Sequence, residues 1–239
     1  MACMPDDSIR LNKFIAQHLN LGRRAADELI ASGKVAINGA PVVLGARVKP
    51  GDTVTAQGKT LAWTDQQQFI YLLMDKPEGY VCSRRQQGDT PTIYELLPAK
   101  YHHLKTVGRL DKNSSGLIML TNDGDLAHRL THPSFVKVKQ YEVTLSAPLE
   151  PLHHQMIADY GVQLPDGPSK FQLTRLKEGE GTEWLVTMHE GRNRQIRRTF
   201  AALGYDVLRL HRISFGPFTL AQLSGKQLAE LSSLPQNLT

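Results

Sequence analysis

Cysteine is almost missing from this chain: Cys3 and Cys82 are the two thiols in 239 residues. Two isolated thiols exclude a disulfide framework and any Cys-x-x-Cys metal spacing, and they fit a reducing compartment. No apolar run approaches the roughly 18 residues that a membrane-spanning helix needs. The N-terminus carries Asp6 and Asp7 and no apolar stretch of the secretory kind, so a soluble, cytoplasmic protein is expected. Internal repeats and low-complexity tracts are absent as well. What is present is ordinary for a folded protein: 41% hydrophobic and 21% charged residues. The net charge of +5 leans toward an anionic partner without naming one.

Residues 9–57 read as a small module. Leu11, Phe14, Ile15 and Leu19 recur at helical spacing, with Ser8 as the expected N-cap. A second helix is expected over residues 23–32, with Ala26, Leu29 and Ile30 inward and Gly33 as a left-handed cap. Val35 and Ile37 then lead into an Asn38-Gly39 hairpin turn, and Pro50-Gly51-Asp52 makes another. Seven basic residues (Arg10, Lys13, Arg23, Arg24, Lys34, Arg47, Lys49) face three acids (Asp27, Glu28, Asp52), a net +4. Arg10, Lys13, Arg23 and Arg24 gather near the helix starts, where free N–H groups also favour phosphate. Charge alone leaves a merely solvated basic face equally open.

Residues 58–67 are polar and Gln-rich and are expected to be a linker. A larger α+β region follows over residues 68–235. Strands are expected at 69–74, 117–121, 140–145, 171–176, 184–189 and 207–211, and helices at 123–130, 149–160 and 193–203. Strands and helices do not alternate strictly, so the sheet should be mixed and mainly antiparallel, with flanking helices.

One stretch stands out, Gly108-Arg109-Leu110-Asp111-Lys112-Asn113-Ser114-Ser115-Gly116-Leu117. It sets a solitary carboxylate at a sharp turn, near cationic and backbone donors and ahead of an apolar strand. Read locally, Asp111 beside Asn-Ser-Ser-Gly is more often a turn residue than a catalyst. The spacing also mimics the first half of a calcium loop. Its twelfth position is Asn122, however, and without a bidentate carboxylate calcium is rejected. His128 and His132 stand four apart with no accompanying Glu or Cys, so they read as surface or phosphate-contacting side chains rather than zinc ligands. The pairs His102-His103 and His153-His154 point in different directions.

A second cluster is Glu190-Gly191-Arg192-Asn193-Arg194-Gln195-Ile196-Arg197-Arg198. On a helix, Arg194, Arg197 and Arg198 fall within an arc of roughly 100°, while Ile196, Phe200 and Leu203 anchor the opposite side. A row of guanidinium groups behind a glycine turn suits phosphates and carboxylates. A third piece is Lys139-Gln140-Tyr141-Glu142-Val143, an alternating strand. Its tyrosine would ordinarily be core, and would otherwise offer a flat surface to a flipped base.

Together these three pieces resemble the pseudouridine synthases, in their RsuA/RluB-like branch. Arg109-Leu110-Asp111 with Ser114 and Gly116 is similar to the catalytic motif, continued by Thr121-Asn122-Asp123-Gly124-Asp125. Lys139-x-Tyr141-x-Val143 resembles the segment bearing the base-stacking tyrosine, and residues 191–198 resemble the third motif. Asp75-Lys76-Pro77-Glu78-Gly79 resembles the family's Asn-Lys-Pro-x-Gly opening, with Asp in place of Asn. Arg10 to Ala16, Arg23-Arg24-Ala25 and Gly33 to Gly39 resemble the S4-type RNA-binding module. Gly22 stands there where many members carry Ser, an acceptable substitute at an N-cap.

The resemblance implies an α+β chain with an S4-type module ahead of a synthase domain, and an isomerase acting on ribosomal RNA. It implies no metal, no small-molecule cofactor and a monomer. Asp111 takes the place of the catalytic carboxylate, Tyr141 that of the stacking ring and Arg197 that of the base paired with Asp111. Arg109, Arg192, Arg194 and Arg198 would meet phosphates, as would Arg10, Lys13, Arg23, Arg24 and Lys34 in the module. Arg194 favours the large-subunit enzymes, since the small-subunit one usually has His there. Two alternatives remain: a non-enzymatic RNA-binding or ribosome-assembly factor, and a synthase acting on tRNA. The intact set of Asp111, Tyr141 and Arg197 argues against a pure binder.

Overall fold

The computed structural model describes residues 7–63, 68–132, 134–135, 137–177, 179 and 181–235. The chain divides into two units, Met1–Gln68 and Phe69–Thr239.

In the first unit β1 (Ile9–Arg10) runs into α1 (Leu11–His18), followed by α2 (Arg23–Ala31). Then come β2 (Val35–Ile37), β3 (Ala40–Pro41), β4 (Arg47–Val48), β5 (Val54–Ala56) and β6 (Lys59–Leu61). The apolar positions at helical spacing converge: Leu11, Phe14, Ile15, Ala26 and Ile30 form one buried cluster with Val35, Val48 and Val54. Each such large side chain contributes about 1.5–3 kcal/mol by leaving water. Asn12 Nδ2 donates to Asp27 Oδ1 at 2.9 Å and ties the two helices.

Two expectations for this region change. The N-cap of α1 is Arg10, not Ser8. Ser8 instead receives Arg47, whose Nε donates to its Oγ and Nη2 to its carbonyl, each at 2.6 Å. That bond accompanies the β1–β4 pairing, so Arg47 serves the fold. The expected linker over 58–67 begins instead with β6, which pairs antiparallel with β5. Residues 64–67 of that call lie outside the described residues. The Asn38-Gly39 turn has both residues at positive φ (51° and 81°), as the hairpin pairing β2 to β3 requires.

The second unit is built on one sheet. Its elements are β7 (Tyr71–Lys76), β8 (Lys105–Val107), β9 (Ser115–Thr121), α3 (Gly124–Thr131), β10 (Lys139–Leu145) and α4 (Pro151–Gln155). They continue as β11 (Val162–Leu164), β12 (Gly167–Ser169), β13 (Gln172–Arg175), β14 (Glu183–Met188), α5 (Gln195–Ala201), β15 (Val207–Phe215), β16 (Phe218–Thr219) and β17 (Leu228–Glu230). The strand order is β13-β14-β10-β15-β9-β7-β17, with β8 on β9 and β16 on β15. Among the described residues every pairing of these strands is antiparallel except β15 with β9, so the mixed, mainly antiparallel sheet of an α+β fold is what forms.

Alternation explains the two cores. Leu72, Met74, Ile118, Leu120 and Val143 join one cluster, and Leu73, Leu117, Met119 and Val107 join another. Strand β9 is covered on both faces, which is why 117–120 is an unbroken apolar run. The expected helix at 149–160 divides into α4 and a wider-wound π stretch, Met156–Tyr160, ending at Gly161. The helix expected at 123–130 is α3, capped by Asp123, which accepts from the N–H groups of Asp125 (3.1 Å) and Leu126 (2.9 Å). Asn122 Oδ1 accepts from Ile70 N–H at 2.8 Å. The Thr121-to-Asp125 motif therefore caps a helix and anchors the chain leading into β7.

Candidate active site

Asp111 lies in the loop between β8 and β9, and Gly108 (φ 71°) opens that loop. Its shape is held from beneath. Lys76, at the end of β7, is fully buried, and its Nζ donates to the carbonyls of Ser114 (2.6 Å), Pro77 (2.9 Å) and Asp111 (3.2 Å). Burial pushes the ammonium's pKa down, while neighbouring acids including Asp111 pull it up. Gly79 N–H donates to Lys112 O at 2.8 Å, and Leu110 N–H to Cys82 Sγ at 3.4 Å. The motif around Lys76 thus supports the Asp111 turn. Sequence reading noted the motif and missed this task.

Gly116 lets β15 come close. A Cβ there would sit 2.3 Å from Arg212 O and 2.5 Å from Arg212 N. The close approach allows the parallel pairing of Arg212 with Gly116.

The basic cluster is arranged differently from the helical row expected. Helix α5 begins at Gln195, and Arg194 is its N-cap in the left-handed region (φ 46°). Arg194 therefore leaves the helical arc, and its Nη1 lies 3.7 Å from Asp111 Oδ2. Arg197, expected to pair with Asp111, donates from Nη2 to Asn113 O and from Nη1 to Val207 O. It grips the backbone of the Asp111 turn. Burial and neighbouring Arg194 push its pKa down, and Asp111 pulls it up, so the carboxylate is within its electrostatic reach.

Arg192 and Arg198, expected on phosphates, are held by the protein itself. Arg198 donates to both oxygens of Asp166 at 3.0 and 2.8 Å. Arg192 donates to Asp166 Oδ1 and to the carbonyls of Asp166, Gly167 and Pro168 at 2.7–3.2 Å. Both clamp the β11–β12 turn against the start of α5. Buried Gln195 completes the joint, donating to Ser169 Oγ (3.1 Å) and to Glu190, and accepting Arg192 N–H (3.2 Å).

Tyr141 is 8% exposed and belongs to the core cluster, as its place on an alternating strand implies. It also lines the same cavity as Asp111. That cavity, of about 1230 Å³, is walled by Gly108, Arg109, Asp111, Tyr141, Arg194 and Arg212 among others. The core and stacking readings of Tyr141 are therefore compatible. Arg109 is exposed at this cavity, and Arg10, Arg23, Arg24 and Lys34 are exposed on the first unit, with Lys13 half-buried. Among the described residues no cluster of His, Cys, Asp and Glu gathers to hold a metal, and no helix is long and apolar enough to cross a membrane.

A family model described as RNA pseudouridylate synthase matches residues 70–202, and one described as S4 domain matches residues 9–54. Ribosomal large subunit pseudouridine synthase B of Pseudomonas aeruginosa is 37% identical over 222 residues, covering 88% of this chain and 56% of that protein. The chain spans about half the length of such relatives, with 44% for the one from Xanthomonas campestris. Ribosomal small subunit pseudouridine synthase A of Pasteurella multocida is 37% identical over 217 residues, covering 89% of this chain and 90% of that protein. A crystal structure described as a pseudouridylate synthase is 34% identical, covers 94% of this chain and 96% of its own, and superposes with a TM-score of 0.65.

Proposed function

Because the chain belongs to the RNA pseudouridylate synthase family, we propose that it isomerises a specific uridine of ribosomal RNA to pseudouridine. The observation that carries this reading is the meeting of Asp111, Tyr141 and Arg194 at one cavity. Isomerisation breaks the C1′–N1 bond, turns the uracil, and joins C1′ to C5. The C5 proton leaves and N1 gains one, so no electrons or groups are donated and the proposal includes no cofactor.

Asp111 supplies the carboxylate, as nucleophile at C1′ or base at C2′. Arg194 orients it directly, and Arg197 does so through the turn. Tyr141 stacks on the detached uracil, after the nucleotide has left its own stack at a cost of a few kcal/mol. Arg109 and Arg194 face the cavity from exposed positions suited to phosphate. The S4-type module, with Arg10, Lys13, Arg23, Arg24 and Lys34, holds structured RNA by its backbone, and residues 69–235 carry the chemistry. The protein acts in the cytoplasm, where its substrate is, and as a monomer.

The large-subunit 23S RNA is favoured over 16S by Arg194 at a position where the small-subunit enzyme usually has His. Mapping pseudouridines in both rRNAs from cells with and without this gene tests the reading. One site lost from 23S RNA on deletion is expected, a site lost from 16S RNA corrects the target, and identical maps overturn the proposal.

A further inference from the structure

Arg212 is a cavity residue that the proposed mechanism leaves unused. It is 3% exposed, yet it lies on the wall of the Asp111 cavity. Its Nε donates to Leu117 O at 2.8 Å, and its guanidinium lies over Phe215, 5.0 Å from the ring centroid. Its Nη2 is buried without a hydrogen-bond partner among the described residues. None of the ion pairs formed by the described residues involves it. Its charged neighbours include cations: besides burial, Arg212 helps to lower the pKa of both Lys76 and Lys139. A buried guanidinium with an idle donor and no ion-pair partner among the described residues is costly, and such a group calls for an acceptor that arrives with a ligand.

Depth selects which part of a nucleotide supplies that acceptor. Arg109 and Arg194 are exposed, whereas Arg212 is almost wholly enclosed. A flipped nucleotide keeps its phosphates with the strand at the rim and sends its base furthest inward. Across β10 and β15 the register partner of Arg212 is Tyr141, the ring on which that base would stack.

Resting on the uridine-isomerising reading above, we propose that Arg212 is a specificity-determining residue, donating from the cavity floor to the position-4 carbonyl oxygen of the extruded uracil. Uracil presents an acceptor oxygen at position 4, where cytosine presents an amino donor. A cytosine in the same pose sets donor against donor and leaves both buried groups unpaired, which rejects it. The fold makes the residue rigid enough to discriminate. Gly116 admits the Arg212 backbone, Leu117 O fixes Nε, and Phe215 fixes the plane.

The test is calorimetric titration of the intact protein with uridine 5′-monophosphate and with cytidine 5′-monophosphate. The wild type is expected to prefer the uridine nucleotide by about tenfold or more. Arg212→Met should abolish the preference and Arg212→Lys should keep part of it, with folding checked by thermal melting. A wild type that binds both equally, or neither at millimolar concentration, overturns the proposal without any variant. A folded Arg212→Met that keeps the preference overturns it too. So does a loss equal for both nucleotides, which would mark a phosphate contact instead. Failure of the isomerase reading registers separately, as rRNA pseudouridine maps indifferent to the gene whatever the nucleotide preference.

Discussion

At Asp111 three cations have three tasks. Lys76 gathers the carbonyls of the turn, Arg197 holds the turn at Asn113 O, and Arg194 lies 3.7 Å from the carboxylate itself. The Arg194–Asp111 pair is partly exposed, 46% and 35% by side chain, so it adds only about 0.2–1 kcal/mol to stability. Arg194→Gln should therefore slow turnover by roughly 10–100-fold through misplacement of the carboxylate while leaving the melting temperature nearly unchanged. Arg197→Gln removes two backbone contacts and should lower both. The measurement is a pair of melting curves with single-turnover rates, and a stable, fully active Arg194→Gln would contradict this division. That Asp111 and Tyr141 line one cavity was legible because each sits in a compact local motif. The roles of Arg194 and Arg197 were not, because the left-handed cap at Arg194 turns one side chain off the helical arc. Lys76 and Arg212 could have been found from strand period alone. They share faces with Leu72 and Met74, and with Leu210, so a charged residue falls where a core residue belongs.

The hairpin β11–β12 and helix α5 form one joint, and its ionic part is Asp166 between Arg192 and Arg198. The Arg198 hydrogen bonds hold the Asp166 carboxyl below the usual carboxylate range. A carboxyl whose folded pKa is depressed stabilises fully above its unfolded value of about 3.9, and loses that contribution as pH falls through the folded value. Asp166→Asn should thus lower the melting temperature near neutrality, and the gap from wild type should close on acidification below about pH 4. A gap that stays constant down to pH 2 would contradict the assignment. At this scale the long elements were legible, since period 2 and period 3.6 are strong over five residues or more. The short pairings β1–β4 and β17–β7 were not, because two or three residues show no period and their register comes from the partner. Strand β6 escaped for a related reason: Lys59-Thr60-Leu61 buries one side chain in three and reads as polar linker.

For the whole chain, the proposed function places affinity and chemistry on different residues. Under the proposed function Arg10, Lys13, Arg23, Arg24 and Lys34 bind the RNA backbone, and the signature of such binding is salt dependence. Replacing Arg23 and Arg24 together by Ala should reduce the slope of log K against log salt by roughly 1.4–1.8, since each phosphate contact contributes about 0.7–0.9. An unchanged slope would remove these two residues from the RNA interface. Under the same proposal Asp111 is the opposite case: it should add little to affinity, and the reaction should depend on it. The decisive measurement compares wild type and Asp111→Asn on the same ribosomal RNA, following binding by titration and product by pseudouridine quantification. Affinity within about threefold of wild type, a difference of about 0.7 kcal/mol at most by the affinity relation, is expected of the variant, together with no pseudouridine. Measurable pseudouridine formed by Asp111→Asn would contradict it.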